Sequence, residues 1–386
     1  MENQAARWTK DRTAGGFLHL AIELSLKIWK LAFSDGRAAR VRIRSIKARD
    51  MEQLRQEIEQ AKTEFQMASG TRVVSCYEAG REGFWVHRVL TNKGIQNMVV
   101  DAASIETKRR KRAKTDRLDA ESLVRKLVQY ESGDHWVWSV VRVPSREAED
   151  ARQLHRDLQV LQRERQQHRM RMQSLLFTQG VEAKITPKLM GDLDQVRCWD
   201  GQPLPVELKD RLRREYARLR LVEQDLVALR QQQRHRLKTE STAATEKIRL
   251  LQQLCGIAMK SSWVFVMEMF GWRQFQNRRE VAAALGLTPM PYQSGDSARE
   301  QGISRAGNRR VRAMAIEIAW SWLRYQPESE LSRWYQDRFA RGGPRVRRIG
   351  IVAMARRLMV DLWRYVEFGI VPEGARLKSG DPVAIG

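Results

Sequence analysis

Apolar positions recur along this chain in two rhythms, and the change between them divides it. In the first 140 residues the runs are short. Phe17 to Leu24 reads as a buried strand, Trp29 to Phe33 alternates as a half-buried strand does, and Val41 to Ile43 is a third. Ser34-Asp35-Gly36 supplies a turn between the last two. A polar helix over 50–67 turns Leu54, Ile58 and Phe65 inward. Strands over 72–78 and 96–101 flank a helix over 82–93, and a further helix opens near Asp116 with Leu118, Leu123, Val124 and Leu127 as its apolar stripe. Trp136 to Pro144 is a connecting segment in which Trp136 and Trp138 are expected to pack.

From residue 146 the spacing lengthens. Leu154, Leu158, Leu161, Arg165, His168, Met172 and Leu175 fall on alternating steps of four and three, a heptad seam with polar interruptions, over a helix spanning 146–178. A second helix, about 205–245, repeats the spacing through Leu212, Tyr216, Leu219, Val222, Leu226 and Leu229. The pair can be an antiparallel hairpin, a dimerising coiled coil or part of an ordinary bundle. Helices over 248–260, 262–287, 308–325 and 346–366 follow, with a Gly/Ser loop at 292–297 and a loosely held tail after Phe368.

Charge changes the picture more than composition does. The chain has 386 residues, 42% of them hydrophobic, and carries 70 Lys and Arg against 46 Asp and Glu, a net charge of +24. Such an excess suits a nucleic-acid partner, because each Lys or Arg at a phosphate releases a condensed counterion. There is no transmembrane run and no signal peptide, so a membrane partner is not expected and the cytoplasm is the expected location. Cys76, Cys198 and Cys255 are scattered and the six histidines form no ligand-spaced motif, which argues against a zinc site or a disulfide framework.

Within the first segment, three strands followed by helix, strand, helix, strand and helix is the element order of an RNase H-like α/β fold. Acids fall on the first strand (Glu23), at the end of the fourth (Glu78) and on the later helix (Asp116 and Asp119). The last two are spaced i, i+3, so they share one face of the first turn, where the helix dipole favours them and Thr115 suits the N-cap. Carboxylates gathered at one place repel one another unless a cation compensates, and hard oxygen donors suit Mg²⁺ or Mn²⁺. Four at one sheet edge would hold divalent ions as phosphodiester-cleaving sites do. Asp101 and Glu106 are alternates. The run Lys108 to Arg112, with Arg109, Arg110 and Arg112, and then Lys114, offers phosphate contacts, as do Arg299, Arg305, Arg309, Arg310 and Arg312 further on. Ser294, beside Gly295 in a loop near those arginines, is a candidate phosphate-attacking nucleophile, with Ser297 and Ser304 as alternates.

Taken together, Tyr77-Glu78-Ala79-Gly80, Ala113 to Ala120, Gly286-Leu287-Thr288-Pro289, Ser294-Gly295 and Gly302 to Asn308 resemble the DEDD transposases of bacterial insertion sequences, the "IS one-ten" recombinases related to the Piv/MooV invertases. The resemblance covers roughly residues 17–370. It implies a RuvC-like catalytic domain over 1–144, a coiled-coil helical hairpin over 145–246, a mainly helical C-terminal transposase domain over 247–370 and a tail over 371–386. It further implies Mg²⁺-dependent cutting and joining of donor and target DNA through a phosphoserine link, and guidance by a structured bridge RNA. It implies a dimer or tetramer in which one protomer's serine completes another's acidic site. Glu78, Asp116 and Asp119 match the family's second, third and fourth acids. Where the family has Asp first, this chain has Glu23, one methylene longer. Two other readings compete: a RuvC-like metal-dependent junction endonuclease that uses water, with Ser294 only contacting phosphate, and a non-catalytic basic scaffold.

Overall fold

The computed structural model describes residues 16–37, 40–105, 116–294 and 297–378, and of residues 103 and 290–301 the backbone only. The chain divides into two compact units, residues 1–143 and 144–386.

The first unit is a mixed five-stranded sheet in the order β3-β2-β1-β4-β5. β1 (Leu18–Glu23), β2 (Ile28–Ser34) and β3 (Arg42–Lys47) form an antiparallel meander, and β4 (Val73–Glu78) and β5 (Gln96–Val100) add parallel to β1. Strand alternation separates two faces. Leu18, Leu20, Ile22, Trp29, Leu31, Phe33 and Tyr77 meet α1 (Met51–Glu64) and α2 (Trp85–Asn92) through Leu54, Ile58, Val86 and Leu90. Ala21, Ala32, Val74, Cys76 and Val100 meet α3 (Asp116–Glu131) through Ala120, Leu123, Val124 and Leu127. Small residues on the second face let one helix lie close across the middle of the sheet. The predicted strands and helices all form, with ends shifted by a few residues, and the arrangement is compatible with an RNase H-like start. Trp138 packs as expected, but Trp136 is exposed, because Asp134 turns the chain there and the segment bonds back to β5 only from Ser139 onward, as in the Val140–Val100 bridge.

The second unit is helical. The predicted 146–178 helix is two, α4 (Arg146–Asp150) and α5 (Gln153–Phe177), followed by the short α6 (Pro187–Gly191) and the long α7 (Val206–Thr239). α5 and α7 form an intramolecular antiparallel hairpin: Leu158 packs on Val222 and Leu226, and Met172 and Leu176 on Leu212 and Leu219. The polar interruption of the seam is built around buried Glu215. Its carboxylate accepts from His168 Nδ1 at 2.7 Å and from Arg171. α7 ends before the expected 245, since Thr242 starts a new helix, α8 (Ala243–Gln253), with a reciprocal capping box to Thr245. The expected 262–287 helix is interrupted: α9 (Met259–Phe265) runs into a π-helical turn, Val266–Phe270, and α10 (Arg278–Leu285) starts afresh at the Asn277 cap. The Gly/Ser loop is instead the tip of a hairpin of β6 (Pro289–Ser294) and β7 (Ser297–Ile303). α11 (Arg309–Tyr325), α12 (Glu330–Tyr335), unforeseen in the pattern, and α13 (Pro344–Phe368) complete the core, centred on Trp263, Phe265, Phe270, Trp322 and Met354. Of the tail after Phe368, residues 369–378 are held rather than loose: Gln326 Nε2 donates to Arg376 O at 2.8 Å and Lys378 Nζ to Ile257 O at 2.8 Å.

One packing choice in α13 sets a pH dependence. Burial pushes the Asp361 carboxyl up to about 6, against the opposing Arg357 and Arg364 charges and with help from Glu330. A folded value above the unfolded 3.8 means that the native state binds the extra proton, so stability declines as pH rises through that window and stays lower above it. Asp361→Asn is therefore expected to stabilise the protein by about 1–3 kcal/mol near pH 8 and hardly at all near pH 4, as read from thermal melts at the two pH values.

Candidate active site

The acidic residues of the first unit are placed by strand register and helix direction. β1 and β4 pair in parallel from Leu18 with Val73 to Ala21 with Cys76. Continuing that register by two residues sets Glu23 beside Glu78, each the last residue of its strand. Alternation puts both on the face that carries Ala21 and Cys76, the face covered by α3. Both line one pocket of about 270 Å³, closed by Leu24, Ser25, Ala79 and Gly80.

α3 runs antiparallel to β1. A Cβ placed on Gly36 would meet His19, at the start of β1, and Val128, near the end of α3. The first turn of α3 therefore points toward the edge where Glu23 and Glu78 lie. Asp116 stands one turn before Ala120, and Asp119 one turn before Leu123, so both lie just beyond the N-terminal end of the helix's sheet-facing stripe, Asp116 exposed and Asp119 half-buried. All four acids thus belong to one face and one edge of the first unit. Glu23 and Glu78 share the pocket, and Asp116 and Asp119 are not among its lining residues. Among the described residues no three His, Cys, Asp or Glu stand close enough together to hold a metal ion. The donor chemistry, four carboxylates, suits Mg²⁺ or Mn²⁺. Asp101 takes the opposite alternation to Val100, which pairs with Glu78. Glu106, Arg109, Arg110, Arg112, Lys114 and Thr115 lie outside the described residues.

Two neighbours of the acids were not foreseen. Lys30 is the cross-strand partner of Glu23, and its ammonium donates to Ser45 Oγ at 2.7 Å. Glu82, also in the pocket wall, is taken up elsewhere: it accepts from Trp85 Nε1 and from Arg49, which hold its carboxyl below the usual range.

In the second unit, Ser294 ends β6 and pairs with Ser297 across the hairpin tip. Arg299 lies on β7. The base of the hairpin is tied to α10 by backbone bonds. Ser304 N donates to Thr288 O at 2.9 Å, Arg305 N to Gly286 O at 3.1 Å and Asn308 N to Ala284 O at 3.0 Å. Gly286 and Gly307 both have positive φ, and a Cβ on either would strike the carbonyl of the opposing segment, at Ala306 and Ala284 respectively. Ser304 is thus part of the base, ten residues in sequence from Ser294 and seven from Ser297. The arginines separate in role. Arg305 and Arg309 are exposed, Arg310 Nε donates to Gln159 Oε1 at 3.2 Å, and Arg312 donates to Leu285 O and Arg305 O, which makes it a clamp of the turn.

Behind that turn lies a cluster that the sequence reading missed. Glu268, in the π-helical turn, is fully buried and accepts from His155 Nε2 at 2.9 Å, from Arg156 Nε at 2.7 Å and Nη2 at 2.9 Å, and from Asn308 Nδ2 at 2.9 Å. Burial alone would push its carboxyl up, but these hydrogen bonds and the Arg156 charge outweigh it and hold the group well below the usual range. Asn308 also caps α11 through Arg310 N and Val311 N. The available signal was a single acid inside the apolar run Trp263 to Phe270.

Residues 248–336 match the model described as "Transposase IS116/IS110/IS902 family". A curated relative from Sinorhizobium fredii (strain NBRC 101917 / NGR234), described as "Putative transposase y4rJ", is 38% identical over 382 residues, 94% of this chain and 95% of its own. A second from the same organism, "Putative transposase y4qE", is 27% identical over 264 residues, 68% of this chain and 62% of its own. The chain belongs to the IS116/IS110/IS902 family and is an insertion-sequence transposase. Membership implies DNA as partner, and among the described residues no helix is long and apolar enough to cross a membrane.

Proposed function

We propose that this transposase cuts and rejoins donor and target DNA through a covalent serine intermediate, guided by a structured RNA and acting as a homo-oligomer. The observation that carries the reading is the placement of Glu23, Glu78, Asp116 and Asp119 on one face at one edge of the sheet. Those four carboxylates would hold Mg²⁺ or Mn²⁺, which supplies charge stabilisation for a phosphodiester under attack and for its leaving oxygen. Ser294 Oγ forms the new phosphoester bond as the DNA's own P–O bond breaks, and the serine proton ends on the departing hydroxyl. One phosphoester is made for each one broken, so rejoining needs no outside energy source. Arg299, Arg305 and Arg309 supply guanidinium groups for the phosphate oxygens. The guide RNA and the oligomer rest on the resemblance and on the net charge of +24.

The test is to quench a cleavage reaction with denaturant, isolate DNA-linked protein and map the modified peptide. The adduct is expected on Ser294, and Ser294→Ala is expected to remove it while nucleic-acid binding persists. An adduct on Ser297 or Ser304 keeps the mechanism and moves the nucleophile. Full-rate cleavage by Ser294→Ala, with no adduct in the parent, identifies a water-using nuclease instead.

A further inference from the structure

The helical unit encloses a cavity of about 430 Å³ that contains none of the proposed catalytic residues. It lies between α5, α7 and the start of α9, and its volume falls within the rough 300–1,000 Å³ of small-ligand sites. Its chemistry is graded. At the rim, Arg230 and Arg234 stand one turn apart on α7, exposed and without an ion pair among the described residues, with Lys260 also in the wall. None of the lining residues is acidic. Like charges at i, i+4 destabilise a helix unless an anion lies between them. Along the wall, Leu158, Met259 and Val264 give an apolar strip.

Two polar side chains in the lining are buried. Gln233 is 5% exposed, and its amide lines the cavity. His155 gives Nε2 to Glu268, while its Nδ1 is buried without a partner. Because Glu268 is an ionised acceptor, Nε2 carries a ring proton toward it, and Nδ1 on the other side of the ring is the atom left for a ligand. Buried polar groups left in this state cost free energy that a ligand can recover. An anion at the rim, a flat apolar body along the wall and a donor–acceptor edge at the floor together describe a nucleotide.

We propose that this cavity receives one unpaired nucleotide of the nucleic acid bound by the protein. Arg230 and Arg234 hold its phosphate, the apolar strip takes one face of the base, and Gln233 with His155 Nδ1 reads the base edge. The base is unpaired because only an extruded base presents its edge to a concave site. The inference rests on the reading of the chain as a nucleic-acid enzyme and adds a subsite to it.

The full-length protein is titrated, by fluorescence anisotropy, with a labelled RNA hairpin carrying one bulged nucleotide, with the same hairpin lacking the bulge, and with the DNA counterparts of both. The bulged probe is expected to bind about tenfold tighter, the worth of one good base contact. Gln233→Leu, similar in size, should erase that preference and leave the unbulged probe within about twofold. Arg234→Ala, on an exposed face and so harmless to folding, should also weaken the preference and lower the salt slope for the bulged probe by about one phosphate. A preference confined to the RNA or the DNA pair supports the site and assigns its strand. Equal binding of bulged and unbulged probes by the parent, or a preference unchanged in both variants, overturns this inference alone. Binding of neither probe overturns it together with the proposed function.

Discussion

Asp116→Asn and Asp119→Asn are each expected to lower strand cleavage in Mg²⁺ by roughly 10²–10³-fold or more while leaving DNA affinity within a few-fold of the parent. The substitution keeps the side-chain shape and removes the negative charge on which divalent binding depends. Neither residue is part of the buried stripe: Asp116 is exposed and Asp119 half-buried, whereas Ala120, Leu123, Val124 and Leu127 make the contact with the sheet. The melting temperature should therefore hardly move, and that separates lost catalysis from lost fold. Glu23→Gln and Glu78→Gln should behave alike, since they end adjacent parallel strands and line the same pocket. A Glu23→Gln enzyme with full activity would pass the first acid's role to another residue. Full activity in both aspartate variants would leave them as dipole-matched residues of a helix start and sink the proposed chemistry.

The largest expected effect on stability is at Glu268. Glu268→Ala leaves Arg156, His155 and Asn308 facing an apolar interior without their acceptor, and breaking such a buried pair costs about 3–5 kcal/mol. In a unit of this size that is a loss of roughly 10 °C in melting temperature. Glu268→Gln keeps the volume but cannot accept both guanidinium donors, so it should cost less than Ala and more than a surface change. The sign with pH follows from the depressed carboxyl. The parent's advantage over Gln is fully present above the ordinary glutamate value of 4.5 and is lost only as pH falls below it toward the native value. Melts of parent and Gln variant that differ by less than about 1 kcal/mol at neutral pH would mean the cluster is not a structural anchor. Because Asn308 both caps α11 and binds Glu268, the Ala variant should also loosen the base of the serine hairpin. Faster amide exchange at Ser304 and Arg305, whose N–H groups bond Thr288 and Gly286, would report it.

Local pattern was enough to place the N-terminal strands and helices, because a two-residue alternation and a helical stripe are written into neighbouring residues. It was enough for the acid positions as well: Glu23 and Glu78 end buried strands, and Asp116 and Asp119 open a helix whose apolar stripe is plain. The turn residues Gly286 and Gly307 could be picked out as a motif, but their reason could not, since each is required by the carbonyl of a segment about twenty residues away. The break at Glu240 to Thr242 carries no Gly or Pro, and the cap-forming Ser241 and Thr242 were its one local sign; the capping box and the core under α8 ended the helix there. The choice among hairpin, dimer and bundle was likewise beyond the heptads, which specify a seam and not the partner that fills it. Sequence by itself therefore determined the element types, the acidic and basic residues on offer and the family resemblance they carry. Tertiary structure alone decided that Glu23 and Glu78 share a pocket, that Arg312 clamps a turn, and that Glu268 gathers His155, Arg156 and Asn308 around a buried charge. The physical reason is range: periodicity and capping act within a few residues, whereas burial, parallel register and ion pairing join residues more than 100 apart in the chain, 113 for His155 and Glu268.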